Sequence, residues 1–371
     1  MKINLFLIPF IIIVGLLLSR YDSDKNRKKY ICFTILILML ECCLRSLSVG
    51  SDTPVYEWMY SNIQDYSWSD IWQIFVDRYV KRLGDTDIGY ILLEKTISIF
   101  TESWRVFTFV AQLIFFVPLG VLLYRHTNQM VQLIFAFVFH VALIQVFPLS
   151  GARQLYAIGL TIAAFLYVEN HRLKNAVLCM IFAATIHLSS LIFVFPLIMA
   201  RFNAKTLKSL HLISFFFIPV VLALGPIIIQ LMGSAVGMDR YANYGANELD
   251  GGGGFVFMFM IELLSLFCFI AIKKNDLDDN PVLLRLYTML PLITLFALLI
   301  YVNGAMIRLS LYFHLYLMVL VPMAVELLFK KSDLRLVYFF IIVVLGVMCI
   351  RGGLVYHFYW QENQTLLEYV M

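Results

Sequence analysis

The sequence predicts an all-α polytopic integral membrane protein, and three observations carry that prediction. Of 371 residues, 61% are hydrophobic and only 14% charged, with 32 Phe, 20 Tyr and a mean hydropathy of +0.85. A soluble domain is about 45–50% apolar and about 25% charged. Runs such as INLFLIPFIIIVGLLLS and VYFFIIVVLGVMCI approach or reach the roughly 20 residues that cross a hydrocarbon core as helix. The charges, finally, are spread over short loops between such runs.

Hydropathy divides the chain into about ten full spans, near 3–19, 31–49, 104–124, 130–149, 153–169, 209–232, 255–272, 282–303, 309–329 and 336–350. They make one transmembrane domain over 1–371. An extracytoplasmic loop with interfacial helices is expected at 50–103, and a Gly-rich one at 233–254. Lys2 and the first apolar run lack a small-x-small cleavage site before Arg20, which predicts a retained first span. Two segments do not fit a simple crossing. Residues 88–101 carry Glu94 and Lys95 and are short, which predicts a re-entrant or interfacial helix on the outer face. Residues 175–200 are long for one crossing and hold His187, Ser189 and Ser190 in the middle.

Basic residues stay on the cytoplasmic side. Arg20, Lys25, Arg27, Lys28 and Lys29 place the 20–30 loop inside, and seven acids against three bases place 50–87 outside. If 175–200 enters and returns as two half-helices turning near His187, then Arg201, Lys205, Lys208, Lys273, Lys274, Arg285, Lys330, Lys331 and Arg335 all fall inside. A single crossing would put these nine outside, so the half-helix hairpin is preferred. In that topology the polar clusters at 51–56, 151–154, 187–190, 239–244 and 304–308 all approach the extracytoplasmic face.

Composition also excludes. A net charge of +4 and a pI near 8.6 leave no basic face for nucleic acid. Cys32, Cys42, Cys43, Cys179, Cys268 and Cys349 lie in apolar segments without a CxxC pair and read as soft packing residues. No GxxxxGK[ST] loop and no metal-ligand spacing is present, so no ATP chemistry, metal or cofactor is expected.

Several short stretches can carry chemistry. In SDTPVY (51–56), Asp52 at the membrane boundary reads first as a helix N-cap before Pro54, and Tyr56 and Trp58 as interfacial aromatics. In SGARQ (150–154), Gly151 permits a tight reversal and Arg153 opens a span. There a guanidinium fork and free helix N–H groups suit a diphosphate, the alternative being an Arg snorkelling to lipid headgroups. His187 in ATIHLSS is an intramembrane ionisable group, a packing histidine or a catalyst. MDRYANYG (238–245) brings Arg240, Tyr241 and Tyr244 to an outer loop, followed by a glycine hinge at Gly251 to Gly254. RLSLYF (308–313) opens a span with Arg308, and Tyr312 lies one turn on. Glu41 and Arg45, at i and i+4, read as a pair, with Arg45 able to reach the outer cavity. His140 reads as packing, His126 and His171 as loop residues, and His314 stays open.

Taken together, SDTPVY, DIGY (Asp87 to Tyr90), GARQ, IHLSS, DRYANY and RLSLYF resemble, in order and spacing, the EpsG/Wzy-like family of bacterial exopolysaccharide, capsule and O-antigen polymerases over roughly residues 45–320. The resemblance implies a lipid-linked repeat unit as substrate and transfer on the outer face of the cytoplasmic membrane. It maps Asp52, Arg153, His187, Arg240 and Arg308 onto the family's polar positions.

The expected reaction is glycosyl transfer from a polyprenyl diphosphate carrier to a hydroxyl of the next lipid-linked unit. Its donor is already activated, in keeping with the missing ATP motif. Arg153 and Arg308, with Arg240, are the expected diphosphate ligands. His187 ranks ahead of Asp52 as base for the acceptor. Tyr56, Gln154, Tyr241, Tyr244, Tyr312 and Arg45 are expected to line the substrate. Tyr56, Trp58, Tyr60, Tyr66, Trp68 and Trp72 form a possible stacking platform over the glycan. A flippase and a chain-length regulator are the expected protein partners. Two rivals stand beside this reading. A transporter or flippase of lipid-linked saccharides would use the broken 175–200 segment, although no internal repeat is found. An O-antigen ligase-like transferase would share the donor chemistry.

Overall fold

The computed structural model describes residues 2–81, 83, 87–235, 251–273, 277, 279–352 and 355–361. Among them there are helices and no strand. They cluster into two compact units, 1–191 with 338–371 and 192–337.

The first unit opens with α1 (Asn4–Ser19) and α2 (Asp24–Leu44). Ser23 caps α2 by accepting from the Asn26 amide, and Asp24 lies in the first turn, where the helix dipole favours an anion. The chain then turns at Gly50, whose φ of +89° suits glycine. A Cβ there would sit 2.1 Å from the Leu149 carbonyl oxygen. Three short helices follow, α3 (Thr53–Ile63), α4 (Trp68–Phe75) and α5 (Ile88–Ser98). Pro54 opens α3, and a Ser67–Asp70 capping box opens α4. Lys95 of α5 donates to the carbonyls of Ile63 (3.3 Å) and Gln64 (3.1 Å), where α3 leaves acceptors unsatisfied.

The long α6 (Trp104–His126) packs against α2 and against α9 (Ala152–Glu169). Between them run α7 (Met130–Phe139), a π turn at His140–Ile144 and α8 (Val146–Ser150). The helix α10 (Leu173–Ile186) lies on α9 and α5 and stops where expected: His187 is extended (φ −159°, ψ 111°), and a 3-10 turn, Leu188–Phe193, follows.

In the second unit, α11 (Val194–Met199), α12 (Ala204–Phe216) and α13 (Ile218–Ala235) precede α14 (Gly251–Lys273), α15 (Pro281–Tyr287), α16 (Met289–Val302), α17 (Ile307–His314) and α18 (Leu317–Leu328). Helix α16 is the hub, touched by α12, α13, α14 and α17 and buried along most of its length. Finally α19 (Leu334–Gly352) leads back to the first unit. There Ser46 N donates to the His357 carbonyl oxygen (2.8 Å) and the Tyr356 hydroxyl to that of Glu41 (2.7 Å).

Among the described residues, three helices are long and apolar enough to cross a membrane: 104–126, 255–273 and 281–302. The α17–α18 pair, bent by 48°, makes a fourth, and five further apolar helices are shorter. These lengths are compatible with a polytopic membrane protein. Several expected spans are divided instead of continuous. The 209–232 stretch breaks at Phe217, and 130–149 passes through the π turn.

Three local expectations are corrected. Gly251 to Gly254 are the first turn of α14, not a hinge: the helical ladder of the apolar span runs through them despite about 1 kcal/mol per glycine. Helix α2 ends at Leu44, so Arg45 (φ −68°, ψ 150°) leaves the i, i+4 register. It donates to the Cys42 carbonyl oxygen and to Thr53 Oγ1, while Glu41 accepts from Gln145 (2.5 Å). His126 is not a loop residue. It ends α6 and lies 3.1 Å from Glu169.

Candidate functional site

The 151–154 and 187–190 clusters meet in the first unit around Asp87. One of its carboxylate oxygens, Oδ2, accepts from Arg153 Nη1 at 3.3 Å and lies 3.4 Å from His187 Nδ1. Each partner sits at the end of a helix. Asp87 precedes α5, Arg153 is in the first turn of α9, and His187 terminates α10.

Gly89 makes the approach possible. A Cβ on it would fall 2.3 Å from Thr185 Oγ1 and 2.7 Å from the Thr185 carbonyl carbon. Only a bare α-carbon lets the start of α5 rest on the end of α10, within reach of His187. All three side chains remain partly open, at 26% exposure for Arg153, 19% for His187 and 13% for Asp87. Because Nδ1 donates to the carboxylate in the neutral tautomer, Nε2 is the basic nitrogen.

Aromatic rings surround the guanidinium. Its central carbon lies 5.5 Å from the Tyr56 ring centre and 5.9 Å from that of Tyr90, distances at which a cation and a ring attract. Tyr90 stacks in turn on Tyr156 at 6.3 Å. Glu94, one turn beyond Tyr90, is almost fully buried, and that burial pushes its carboxyl up to about 8 against the opposing hydrogen bond from Tyr90 and the pull of Arg153. Arg153 Nε and Tyr156 OH are buried polar atoms without a hydrogen-bond partner. The cluster therefore keeps unused hydrogen-bonding capacity beside a guanidinium.

Asp52 occupies the cap position of α3, but its carboxylate does not cap the helix. It accepts from Ser51 (3.1 Å), whose hydroxyl lies 3.0 Å from that of Ser150. Thr53 ties the same two turns together by donating to the Val49 and Leu149 carbonyls. The 51–56 segment is thus fastened to the turn that leads into Arg153. Arg45, 5% exposed, is held by Thr53, and Gln154 is buried on α9. Gly151, at φ −104° and with a Cβ position no closer than 3.7 Å to a neighbour, is not needed for a reversal.

Tyr56 and Tyr60 are not parts of an open platform. Both are buried, with Tyr60 stacked on Phe107 at 4.4 Å, whereas Trp58, Trp68 and Trp72 are more than half exposed. Arg308 and the fully buried Tyr312 belong to α17 of the second unit. Arg240, Tyr241 and Tyr244 lie outside the described residues.

The acid at the centre was absent from the sequence-derived site. Asp87 enters the sequence reading only within DIGY, and its signal, an acid two residues before a helical glycine, is weak in isolation. Tyr90 enters only as the end of DIGY, Glu94 only as a charge in a short helix, and Tyr156 gave no signal in its apolar run. No group of three or more His, Cys, Asp or Glu side chains among the described residues is placed to hold a metal ion.

No curated protein and no solved structure matches the chain. The family model described as the EpsG family matches residues 28–371, from the second turn of α2 onward. The match includes the elements that carry Asp87, Arg153 and His187, and the family suggests a polysaccharide polymerase-like role for the chain. On that match the chain belongs to the EpsG family.

Proposed function

We propose that the chain is a repeat-unit polymerase, a membrane glycosyltransferase that moves a growing glycan from polyprenyl diphosphate to a hydroxyl of the next lipid-linked unit. The distribution of Lys and Arg supports a reaction on the outer face of the cytoplasmic membrane. One observation carries the reading: a single carboxylate oxygen of Asp87 holds both a guanidinium and an imidazole at the ends of three helices.

In the proposed step, His187 Nε2 takes the proton of the acceptor hydroxyl, whose oxygen forms the new bond to the anomeric carbon. The bond from that carbon to the diphosphate oxygen breaks, and its electron pair leaves with the carrier. Asp87 fixes the imidazole and stabilises the imidazolium as it forms. Before transfer the three groups sum to zero charge. Once His187 is protonated they sum to +1, as the departing diphosphate gains negative charge. Arg153 then faces an anion with one of its two neighbouring charges already matched, in a pocket of low dielectric. The exposed Trp58, Trp68 and Trp72 are the better candidates for contact with sugar faces. Arg308 and Arg240 remain proposed ligands of the diphosphate. Lipid-linked donor and acceptor are the proposed substrates, with a flippase and a chain-length regulator as partners.

The test uses membranes containing the full chain and a lipid-linked repeat unit, with products separated by length. Asp87→Asn is expected to lower polymer formation about 10²–10⁴-fold at equal protein level. Asp52→Asn is expected to retain most of it. Wild-type chain lengths from Asp87→Asn, or loss of polymer from Asp52→Asn alone, would overturn the assignment of the base and its support.

A further inference from the structure

At the basic end of the second unit, α12 and α14 border an open cavity of about 410 Å³. Lys205, Lys208 and Ser209 line it from the first two turns of α12, Lys273 from the end of α14, with Leu212 and Phe269 beside them. Lys208 donates to the Lys273 carbonyl oxygen at 3.0 Å, tying the start of one helix to the end of the other. The Lys273 ammonium lies 5.4 Å from the Phe269 ring centre. Three lysines thus line one volume, and its described lining includes no carboxylate.

The cavity continues into a stripe. Positions 205, 208, 209, 212 and 216 share one face of α12. That face is basic and hydroxylic in the first two turns, then apolar at Leu212 (46% exposed) and Phe216 (72% exposed). A free anion has no use for the apolar half. A lipid phosphate uses both halves, with the headgroup on the lysines and a chain along the apolar stripe.

We propose that this cavity binds the phosphate headgroup of an anionic phospholipid, with one acyl chain lying along Leu212 and Phe216. Lysines near an acidic leaflet gain about 1 kcal/mol each from it, or about fivefold in lipid preference, and basic pockets between helices on the cytoplasmic side hold such headgroups. The site is independent of the Asp87 cluster, so it stands or falls separately from the proposed transferase reaction.

The experiment introduces Phe216→Trp into the full chain, because residues 192–337 contain no tryptophan. The protein is reconstituted in phosphatidylcholine with a minor fraction of brominated lipid, and indole quenching beyond that of the parent chain is read. Brominated phosphatidylglycerol is expected to quench at a lower fraction than brominated phosphatidylcholine. Lys205→Gln and Lys273→Gln should each reduce that preference about fivefold. Ser209→Asp, which leaves every lysine in place, should abolish it, with monodispersity in detergent confirming a folded protein. Equal quenching by the two lipids, or a preference untouched by these substitutions, would overturn the proposal. Inorganic phosphate at constant ionic strength distinguishes the sources. Failure to displace the lipid supports a lipid site, and complete displacement would reassign the cavity to free phosphate.

Discussion

Two histidines in this protein, His187 and His211, show how differently the same side chain is used. His211 on α12 is fully buried in the second unit, with Nδ1 3.1 Å from the Tyr287 hydroxyl and Nε2 3.1 Å from Ser265 Oγ, which reaches Thr294 at 2.8 Å. Both ring nitrogens are used, every immediate partner is a neutral hydroxyl, and Phe215 and Phe269 cover the ring. His187 has one nitrogen held by a carboxylate, a guanidinium on the same oxygen, and partial exposure. The first arrangement satisfies a buried polar group and fixes helix register. The second leaves the other ring nitrogen facing a partly open pocket beside an ion pair. Polarity within an apolar helix does not by itself mark a catalyst. Access, and charge on the partner, make the distinction.

Substitution can break that contrast. His187→Ala is expected to cost about 10²–10⁴-fold in polymer formation while leaving the thermal midpoint in detergent nearly unchanged. His211→Ala should do the reverse, keeping turnover per folded molecule and losing about 1–3 kcal/mol of stability through the stranded hydroxyls. Should His211→Ala abolish turnover in protein that remains folded, the two histidines would not differ in kind.

A smaller effect tests the geometry. Gly89→Ala pushes α5 away from Thr185 and moves Asp87 off His187, and a displacement of about 1 Å costs about 10²-fold in rate. The same substitution leaves the His211 network alone, so a large fall in turnover with an intact fold is the expected signature.

A further test concerns pH. The Glu94 carboxyl, raised to about 8 by burial, holds a proton in the folded protein that the unfolded chain releases near its ordinary value. Stability from this group is therefore complete below about 4.5, declines as pH rises, and is lost once pH passes about 8. Glu94→Gln should flatten the dependence of the unfolding midpoint over that interval. An unchanged slope would show that Glu94 is not the buried acid responsible.

Much of the fold was legible because helical membrane segments carry their signal locally. The break at His187, the helix starts at Pro54 and Arg153, and the short helix after Asp87 follow from residue type and spacing within a few positions. The site was legible only in part. Arg153 and His187 stand out as charged or ionisable groups in apolar runs, where such groups are costly. Asp87 does not, because it sits in a polar loop with other acids, and nothing nearby in sequence says which of them turns inward. Glu41 and Arg45 failed for a related reason. Their i, i+4 spacing promised a pair only while the helix continued, and it ends at Leu44.

Composition and hydropathy alone determined that this chain is helical and apolar enough for a membrane, and roughly where its apolar stretches lie, because a backbone in hydrocarbon must satisfy its own hydrogen bonds. Tertiary structure decided which acid serves which base. That Asp87 meets Arg153 and His187, separated from it by 66 and 100 positions, depends on α5 resting on α10 through a glycine without a side chain, a contact no local pattern encodes.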